Sequence, residues 1–157
     1  MQDKIIITRK EQITPTHKAE HEPFEFFKYE ATPRAGFDQC YVCFYELPPQ
    51  KSNYPYHYHT QNTEAFYILS GKGILLAPGG EKRISAGDLI LCPPGEQSAH
   101  RIANASKTEP LVYLDFDTAN SPDILHYPHS GKTGIITRGQ KSVFFKENAP
   151  VEYYEGE

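Results

Sequence analysis

The sequence is poor in cysteine and contains no tryptophan. Its three cysteines, Cys40, Cys43 and Cys92, are an odd number in a chain without a signal-like start, which argues against a disulfide framework and favours the cytoplasm. Cys40 and Cys43 form a CxxC motif, a weak signal for zinc binding or redox chemistry. They lie in an aromatic run typical of a β-strand, where a three-residue spacing places the two thiols on opposite faces. We therefore interpret them as ordinary buried cysteines.

Long apolar runs and basic clusters are also missing. No apolar run approaches the roughly 18 residues of a membrane-spanning helix, so a membrane is not expected as a partner. The net charge is −4 at pH 7, and no stretch of lysine or arginine is long enough to follow a phosphate backbone. Nucleic acid is therefore not expected as a partner either. The partner that we expect is therefore a small-molecule ligand.

Aromatic residues and short apolar runs are abundant instead. The chain has 157 residues, with eleven tyrosines and nine phenylalanines, enough to bury one core. No long helical pattern occurs, and turn residues separate runs rich in β-branched and aromatic types. We predict an all-β sandwich or barrel with strands at 4–9, 24–30, 39–47, 64–71, 73–78, 82–86, 88–93, 99–104 and 111–117.

The pattern predicts a single domain over residues 1–157. Its barrel core covers about 38–118, preceded by N-terminal strands in 1–37 and followed by a C-terminal extension, 119–157, with one more apolar run at 141–146. A short helix is predicted at 121–125, where Ser121 could cap it and Pro122 would take the first position.

Several predicted strands are apolar on both faces, notably 67–71 and 88–92. One face can fill the interior of a barrel, while the other needs a second sheet or another subunit to cover it. This pattern predicts a homodimer.

The stretch HYHTQNTE, residues 57–64, is rich in potential metal ligands. In an extended strand His57 and His59 point to the same side, roughly 6.5–7 Å apart at the backbone. A turn could fold Glu64 back beside them, and His100 follows a Pro-Gly turn much later in the chain. Spacing alone leaves two interpretations open, a metal site or a polar loop. It also does not show that His100 comes near the histidine pair.

The segment resembles the first motif of the cupin family, small double-stranded β-helix barrels. That motif is a glycine, five residues, HxH, three or four residues, a glutamate, six residues and a glycine. Here His57 and His59 are followed by Glu64 and Gly71 at the matching spacing, while Lys51 stands where the leading glycine would fall.

The second cupin motif is a glycine, five residues, PxG, two residues, a histidine, three residues and an asparagine. Gly87, the PPG turn ending at Gly95, His100 and Asn104 match it, except that four residues rather than two separate Gly95 from His100. Ser98 occupies the literal ligand position. We assign His100 because an even shift preserves the strand face and the spacing to Asn104 is intact.

The resemblance implies a cupin or jelly-roll barrel that holds a divalent transition metal (Zn, Ni, Fe or Mn) through His57, His59, Glu64 and His100. It is nearest to small, mannose-6-phosphate-isomerase-like cupins with a conserved barrel, in which a segment like HYPHSGK (126–132) follows the barrel. Since that group largely lacks assigned reactions, the resemblance implies fold and metal more strongly than substrate.

The function expected from these features is metal-dependent binding or conversion of a small oxygen-rich molecule, such as a carboxylate, keto or sugar-like compound. A metal-dependent isomerase or dioxygenase would fit, but the sequence predicts no catalytic residue and no separate general base. The alternative is a binding or regulatory cupin that turns nothing over. A cupin without metal is disfavoured because all four ligand types are present.

Other polar residues receive weaker predictions. We expect His17 and His21 to lie in a solvated segment, and His126 and His129 to bind nothing. Residues expected to pack on the outer face are Tyr56, Tyr58 and Tyr67, and those expected to contact the ligating imidazoles are Gln61, Asn62 and Ser98.

Overall fold

Antiparallel β-strands form the regular structure of residues 5–32 and 37–156, which are the residues that the computed structural model describes. No α-helix occurs within these ranges, and neither of their two short 3-10 helices could span a membrane. The predicted all-β fold is confirmed. In chain order the strands are β1 (Thr16–His21), β2 (Phe24–Glu30), β3 (Cys40–Leu47), β4 (Tyr58–His59), β5 (Glu64–Ser70), β6 (Lys72–Ala77), β7 (Gly80–Ser85), β8 (Leu89–Cys92), β9 (Arg101–Asn104), β10 (Leu111–Thr118), β11 (Asp123–Tyr127), β12 (Lys132–Ile136) and β13 (Val143–Lys146).

The strands form three sheets. The largest has the order β1-β2-β3-β10-β5-β8, the second the order β13-β12-β11-β4 and the third the order β7-β6-β9. Strand β10 lies at the centre of the largest sheet, paired along its full length with β3 and along most of it with β5. The non-consecutive order of neighbouring strands is typical of a barrel closed by crossover connections.

The core lies between the six-stranded and the three-stranded sheets, both of which contribute to a single apolar cluster. Leu47, Ile68, Ile102 and Leu111 are completely buried and close one end of the interior. Farther along β10, the inward face continues with Tyr113, Asp115 and Asp117, since alternate residues of a strand share a face. The interior therefore changes from apolar to polar from one end to the other.

Two predictions for the flanking segments are wrong. Within the predicted strand at 4–9, Ile5 and Ile7 are more than 90% exposed and belong to no strand, and a 3-10 helix follows at Lys10–Gln12. The predicted helix at 121–125 is replaced by β11, where Asp123, Leu125 and Tyr127 are buried and the residues between them are not. This two-residue period suits a strand between two partners, and β4 and β12 supply them.

The C-terminal extension packs against the barrel through β11, which pairs with β4. Through this contact, residues beyond position 118 become neighbours of the predicted ligands His57 and His59. The N-terminal hairpin β1–β2 extends the opposite edge of the largest sheet by pairing β2 with β3.

Candidate metal centre

His57 and His100 are direct partners in an antiparallel bridge. The backbone N–H of His57 donates to the carbonyl of His100 at 3.1 Å, and the N–H of His100 donates to the carbonyl of His57 at 2.9 Å. Residues facing each other in this way project their side chains to the same face. The interior thus receives one imidazole from each side of the bridge.

The two additional residues before His100 are taken up by a 3-10 helix, Glu96–Ser98. Gly95 precedes it with a φ of 112°, a conformation that favours glycine. The insertion is therefore accommodated before the strand starts, and the register of His100 is unchanged. Ser98, the literal motif position, lies within the 3-10 helix and outside the strand.

The three predicted histidine ligands converge on one carboxylate oxygen of the fourth ligand, Glu64. Glu64 Oε2 lies 3.9 Å from His57 Nε2, 3.5 Å from His59 Nε2 and 3.1 Å from His100 Nε2. Ligand atoms of His57, His59 and Glu64 all lie within 4.8 Å of one another. His57, Glu64 and His100 are buried, and His59 is nearly so.

Each imidazole is oriented through its other nitrogen. His57 Nδ1 lies 2.9 Å from the Pro55 carbonyl, and His100 Nδ1 lies 2.9 Å from the Ser98 carbonyl. His59 Nδ1 contacts the carboxylate of Asp123. Because carbonyl and carboxylate oxygens only accept hydrogen bonds, each Nδ1 must carry the proton. This leaves each Nε2 as the ring nitrogen that faces the interior, the orientation that metal-binding histidines require.

The electrostatics of the cluster place negative charge on Glu64. Burial opposes its ionised form, but the imidazoles of His100 and His59 hold the pKa of Glu64 well below its usual range. Burial lowers the pKa of His57 to about 4. For His59 burial also acts downward, but Asp123 and Glu64 outweigh it and raise the pKa to about 9. The cluster thus provides both a carboxylate and a neutral imidazole.

A divalent metal fits this donor set. His100 Nε2 is buried and makes no hydrogen bond of acceptable geometry, although it lies near Glu64. A buried polar atom without a partner is costly, and a cation between the imidazoles and the carboxylate would satisfy it. Three imidazole nitrogens with one carboxylate oxygen suit zinc, nickel, iron or manganese.

Asp123 is a functional residue that the sequence reasoning missed. It is 1% exposed, and besides His59 its carboxylate accepts hydrogen bonds from the Gln61 backbone at 3.0 Å and from Asn62 Nδ2 at 2.8 Å. Asn62 therefore acts on His59 through Asp123, whereas Gln61 and Ser98 contribute backbone groups. The only sequence signal for Asp123 is its place in the period-two pattern of β11.

Asp115 and Asp117 were also missed. Together with Glu64 they form a second group whose carboxylate oxygens lie within 4.8 Å of one another. One carboxylate oxygen of Asp115 and one of Asp117 are buried without a hydrogen-bond partner. Burial raises the pKa of both aspartates. Asp117 and Glu64 raise that of Asp115 further, and Glu64 helps to raise that of Asp117 to about 7 although its hydrogen bond with Asp115 acts in the opposite direction. The alternation Leu111, Tyr113, Asp115, Asp117 was the available signal, because it continues an inward face with acidic residues.

The weaker predictions have mixed outcomes. His126 and His129 stack on Tyr58 and Tyr56, with ring centroids 4.9 Å and 4.4 Å apart, on the outside of the centre. His126 also lies 2.9 Å from Glu147, a contact within the protein, so the expectation that His126 and His129 bind no ligand stays a prediction.

Two further features lie outside the centre. Cys43 and Cys92 are buried, as predicted, whereas Cys40 is only partly buried. The segment with His17 and His21 is exposed along its whole length, as predicted, and it forms β1, in which His17 stacks on Phe27.

Comparison with known proteins identifies the barrel. A model of the cupin domain matches residues 43–117. An uncharacterised protein of Aquifex aeolicus (strain VF5) is 26% identical over 104 residues, which cover 66% of this chain and 78% of that protein.

Three solved structures share the fold. A protein of Acidithiobacillus ferrooxidans, provisionally named a sugar phosphate isomerase, has a TM-score of 0.81 at 24% identity and covers 96% of this chain and 97% of its own. A sugar phosphate isomerase of Silicibacter pomeroyi has a TM-score of 0.78 at 17% identity, with 91% and 94% covered. A predicted oxalate decarboxylase of Thermotoga maritima has a TM-score of 0.64 at 26% identity, with 73% and 100% covered. Residues 43–117 are a cupin domain, and the chain shares the cupin fold with these structures.

Proposed function

We propose that the chain binds one divalent transition metal through His57, His59, Glu64 and His100. The observation that carries the proposal is the convergence of three Nε2 atoms on Glu64 Oε2 while every Nδ1 is engaged elsewhere. A metal held there supplies Lewis acidity to a carbonyl, hydroxyl or carboxylate oxygen.

We further propose that the bound molecule is small, hydroxylated and sugar-like, and that the chain isomerises it. The unpaired carboxyl oxygens of Asp115 and Asp117 face the same interior as the cluster and can accept hydrogen bonds from hydroxyl groups. Asp115 and Asp117 also supply an acid–base group, which the two motifs alone do not contain. A carboxylate of the pair takes the proton from the hydroxyl-bearing carbon and returns it to the neighbouring carbonyl carbon. The hydroxyl proton passes to the carbonyl oxygen, so the carbonyl and hydroxyl groups exchange places.

The names of two structural neighbours, one a sugar phosphate isomerase and the other provisionally named so, favour this chemistry over oxidation. The name of a third, a predicted oxalate decarboxylase, favours a small carboxylate instead. Of the two ligands, the sugar-like one agrees better with a polar interior that contains two further carboxyl groups. Their unpartnered oxygens accept hydrogen bonds from hydroxyl groups, whereas a carboxylate has no hydrogen to donate.

Elemental analysis of protein purified without a metal-affinity column tests the metal proposal. We expect about one ion per chain, or uptake to that level on adding Fe(II), Mn(II), Ni(II) or Zn(II). The variant His57→Ala should lose the ion, whereas His21→Ala, which removes an exposed imidazole, should retain it. Wild-type protein that neither contains nor takes up metal would refute the proposal.

Turnover of aldose and ketose phosphates in D2O separates the isomerase from the binding module. Isomerisation by proton transfer introduces deuterium next to the carbonyl, and Asp117→Asn should abolish this with metal content unchanged. The exposed substitution Asp88→Asn serves as the matched control. Tight ligand binding without deuterium incorporation under any metal would support the non-catalytic alternative.

We propose a homodimer that covers the outer face of β5, β8 and β10. Leu89 and Leu91 are 62% and 65% exposed, and Tyr67 and Phe116 extend the apolar patch across the neighbouring strands. Apolar patches of this kind mark interaction surfaces, and β8 is also a sheet edge. In sedimentation, Leu91→Lys should give monomers, whereas Ile7→Lys, at an exposed aliphatic residue outside the patch, should not. The unpaired cysteines support our proposal of a cytoplasmic setting.

A further inference from the structure

A line of inward-facing side chains leads from the histidine cluster toward β3. On β10, Asp117 is paired with Glu64 on one side and with Tyr41 on the other. One inward position along the strand, Asp115 is paired with Cys43. Directly paired residues share a face and neighbouring strands are about 4.8 Å apart, so Tyr41 lies about 10 Å from Glu64 along this line.

The line ends in a cavity of about 400 Å³ between β2, β3 and the segment that follows β12. Tyr41 and Cys43 belong to its lining, which places the cavity at the polar end of the interior. Its volume falls within the roughly 300–1,000 Å³ of small-molecule sites. A ligand in this cavity could therefore extend along the acidic pair to the proposed metal.

Two basic side chains reach the cavity from different segments. Lys28 on β2 forms an ion pair with Glu30 at 3.4 Å, which engages one of its three donors. Arg138 lies after β12, and its Nη2 donates to the backbone carbonyls of Asp38 and Ala119. These contacts hold the guanidinium in place and leave its other nitrogens as donors.

The charge of the cavity favours an anion. Among the lining residues that the structure describes, Lys28 and Arg138 are positive and Glu30 is negative, a net charge of +1. Thr137, Gln140 and Ser142 add neutral donor groups. A guanidinium beside an ammonium with further hydroxyl donors suits a tetrahedral oxyanion, which offers several acceptor oxygens at once.

We propose that this cavity binds the phosphate of a phosphorylated, hydroxyl-bearing ligand whose other end reaches Asp115, Asp117 and the metal centre. The inference rests on the proposed function and narrows its substrate class to phosphate monoesters of sugar-like molecules. Lys28 and Arg138 are the residues that select the phosphate, and they lie away from the reacting atoms.

Calorimetric titration of chelator-treated, metal-free protein with inorganic phosphate tests the subsite without requiring activity. We expect saturable binding by wild-type protein, and at least about tenfold weaker binding by Lys28→Gln and by Arg138→Gln, since each loses a charge-assisted contact. The variant Lys82→Gln removes the same charge from an exposed strand and should bind like wild type. Thermal unfolding of each variant verifies that it folds, and the two cavity variants are independent of each other.

The outcomes separate the proposed phosphate subsite from the proposed metal-dependent function. His57→Ala protein should still bind phosphate, because its defect lies at the metal. Wild-type protein that takes up metal but does not bind phosphate would overturn the subsite alone. The same conclusion would follow if Lys82→Gln lost as much phosphate affinity as the cavity variants, or if acetate bound as tightly as phosphate. Phosphate binding by protein that takes up no metal would keep the subsite and refute the metal-dependent function.

Discussion

Asp123 determines the orientation of His59, although it lies outside the matched cupin domain. In Asp123→Asn the amide oxygen can still accept the Nδ1 proton, but the negative charge that stabilises this arrangement is lost. Removing such a partner of a ligating histidine typically weakens metal binding by about 10–100-fold. We expect a loss of this size in competition with a metal chelator.

Asp88→Asn is the matched control for Asp123→Asn. Asp88 is exposed and accepts a hydrogen bond from the Ser85 backbone, so its substitution changes the same charge far from the ligands. Histidine NMR distinguishes orientation from general destabilisation, since the Nδ1 proton of His59 should exchange faster in Asp123→Asn. Equal metal affinity in both variants would exclude a positioning role for Asp123.

The thiol of Cys43 should be far less reactive than that of Cys40. Burial raises the pKa of Cys43 to about 12, whereas Cys40 is only partly buried. Since each pKa unit changes the thiolate fraction tenfold, a rise of about three units reduces it at pH 8 by about 1,000-fold. Mass spectrometry after brief alkylation of native protein should therefore find Cys40 modified and Cys43 intact. Equal modification rates would show that Cys43 is accessible as thiolate.

Among the connecting elements, the turns at Gly71 and Gly87 offer a matched comparison. Both glycines have positive φ, 89° and 93°, which costs an alanine about 1–2 kcal/mol. A Cβ at Gly87 would meet nothing within 4 Å, but at Gly71 it would lie 2.4 Å from the Pro110 carbonyl oxygen. Relieving that clash adds about 1–3 kcal/mol.

Gly71→Ala should consequently reduce the free energy of unfolding more than Gly87→Ala does. For a domain of this size, the additional 1–3 kcal/mol corresponds to a melting temperature lower by roughly 2–12 °C. Chemical denaturation of the two variants in parallel measures the difference. Equal stabilities would mean that the β5–β6 turn moves away from Pro110 at little cost.

Strands with strong alternation were predictable from sequence. The predicted strand 24–30 has the observed bounds, and those from 39–47 to 111–117 are found with ends shifted by one or two residues. Strand β1 was not predicted because its residues THKAEH are exposed, so pairing with β2 stabilises it and apolar burial does not. Strand β11 depends on partners distant in sequence, a tertiary effect that local propensity for a helix could not reveal.

The candidate site was predictable only as far as the motifs extend. His57, His59, Glu64 and His100 follow from the resemblance to the two cupin motifs, and the structure brings them together. Ligand orientation follows from carbonyls and from Asp123, 64 residues away from His59, which no local pattern encodes. The position of Asp115 and Asp117 in the site could not be predicted without the register of β10 against β5, because only that pairing shows that they face Glu64.

For the molecule as a whole, the core is unusual in containing buried tyrosines. Tyr45 stacks on Tyr113 with ring centroids 5.3 Å apart, and its hydroxyl lies 2.9 Å from that of Tyr54. Asn53 donates to the Tyr113 hydroxyl at 2.9 Å. These hydrogen bonds compensate the burial of the neutral phenols, but donors such as Asn53 do not outweigh the burial of a phenolate charge. Burial accordingly raises the pKa of all three tyrosines.

This core predicts a loss of stability at alkaline pH. Below about pH 10 the phenols are protonated in both the folded and the unfolded chain, so they add no pH dependence. Above it the unfolded chain releases these protons while the folded chain retains them, and the free energy of unfolding must fall. Each of these tyrosines lowers the free energy of unfolding by up to about 1.4 kcal/mol per pH unit, and the three together by up to about 4 kcal/mol per pH unit.

Urea denaturation between pH 8 and pH 11 measures this slope, and Tyr45→Phe isolates one residue of the cluster. The variant should lose about 1 kcal/mol at pH 8 because Tyr54 loses a hydrogen-bond partner. Above pH 10 its stability should fall less steeply than that of wild type by up to about 1.4 kcal/mol per pH unit, so the two curves converge. Tyr153→Phe removes an exposed phenol and should leave the slope unchanged. Parallel curves for wild type and Tyr45→Phe would show that the core tyrosines ionise without unfolding the barrel.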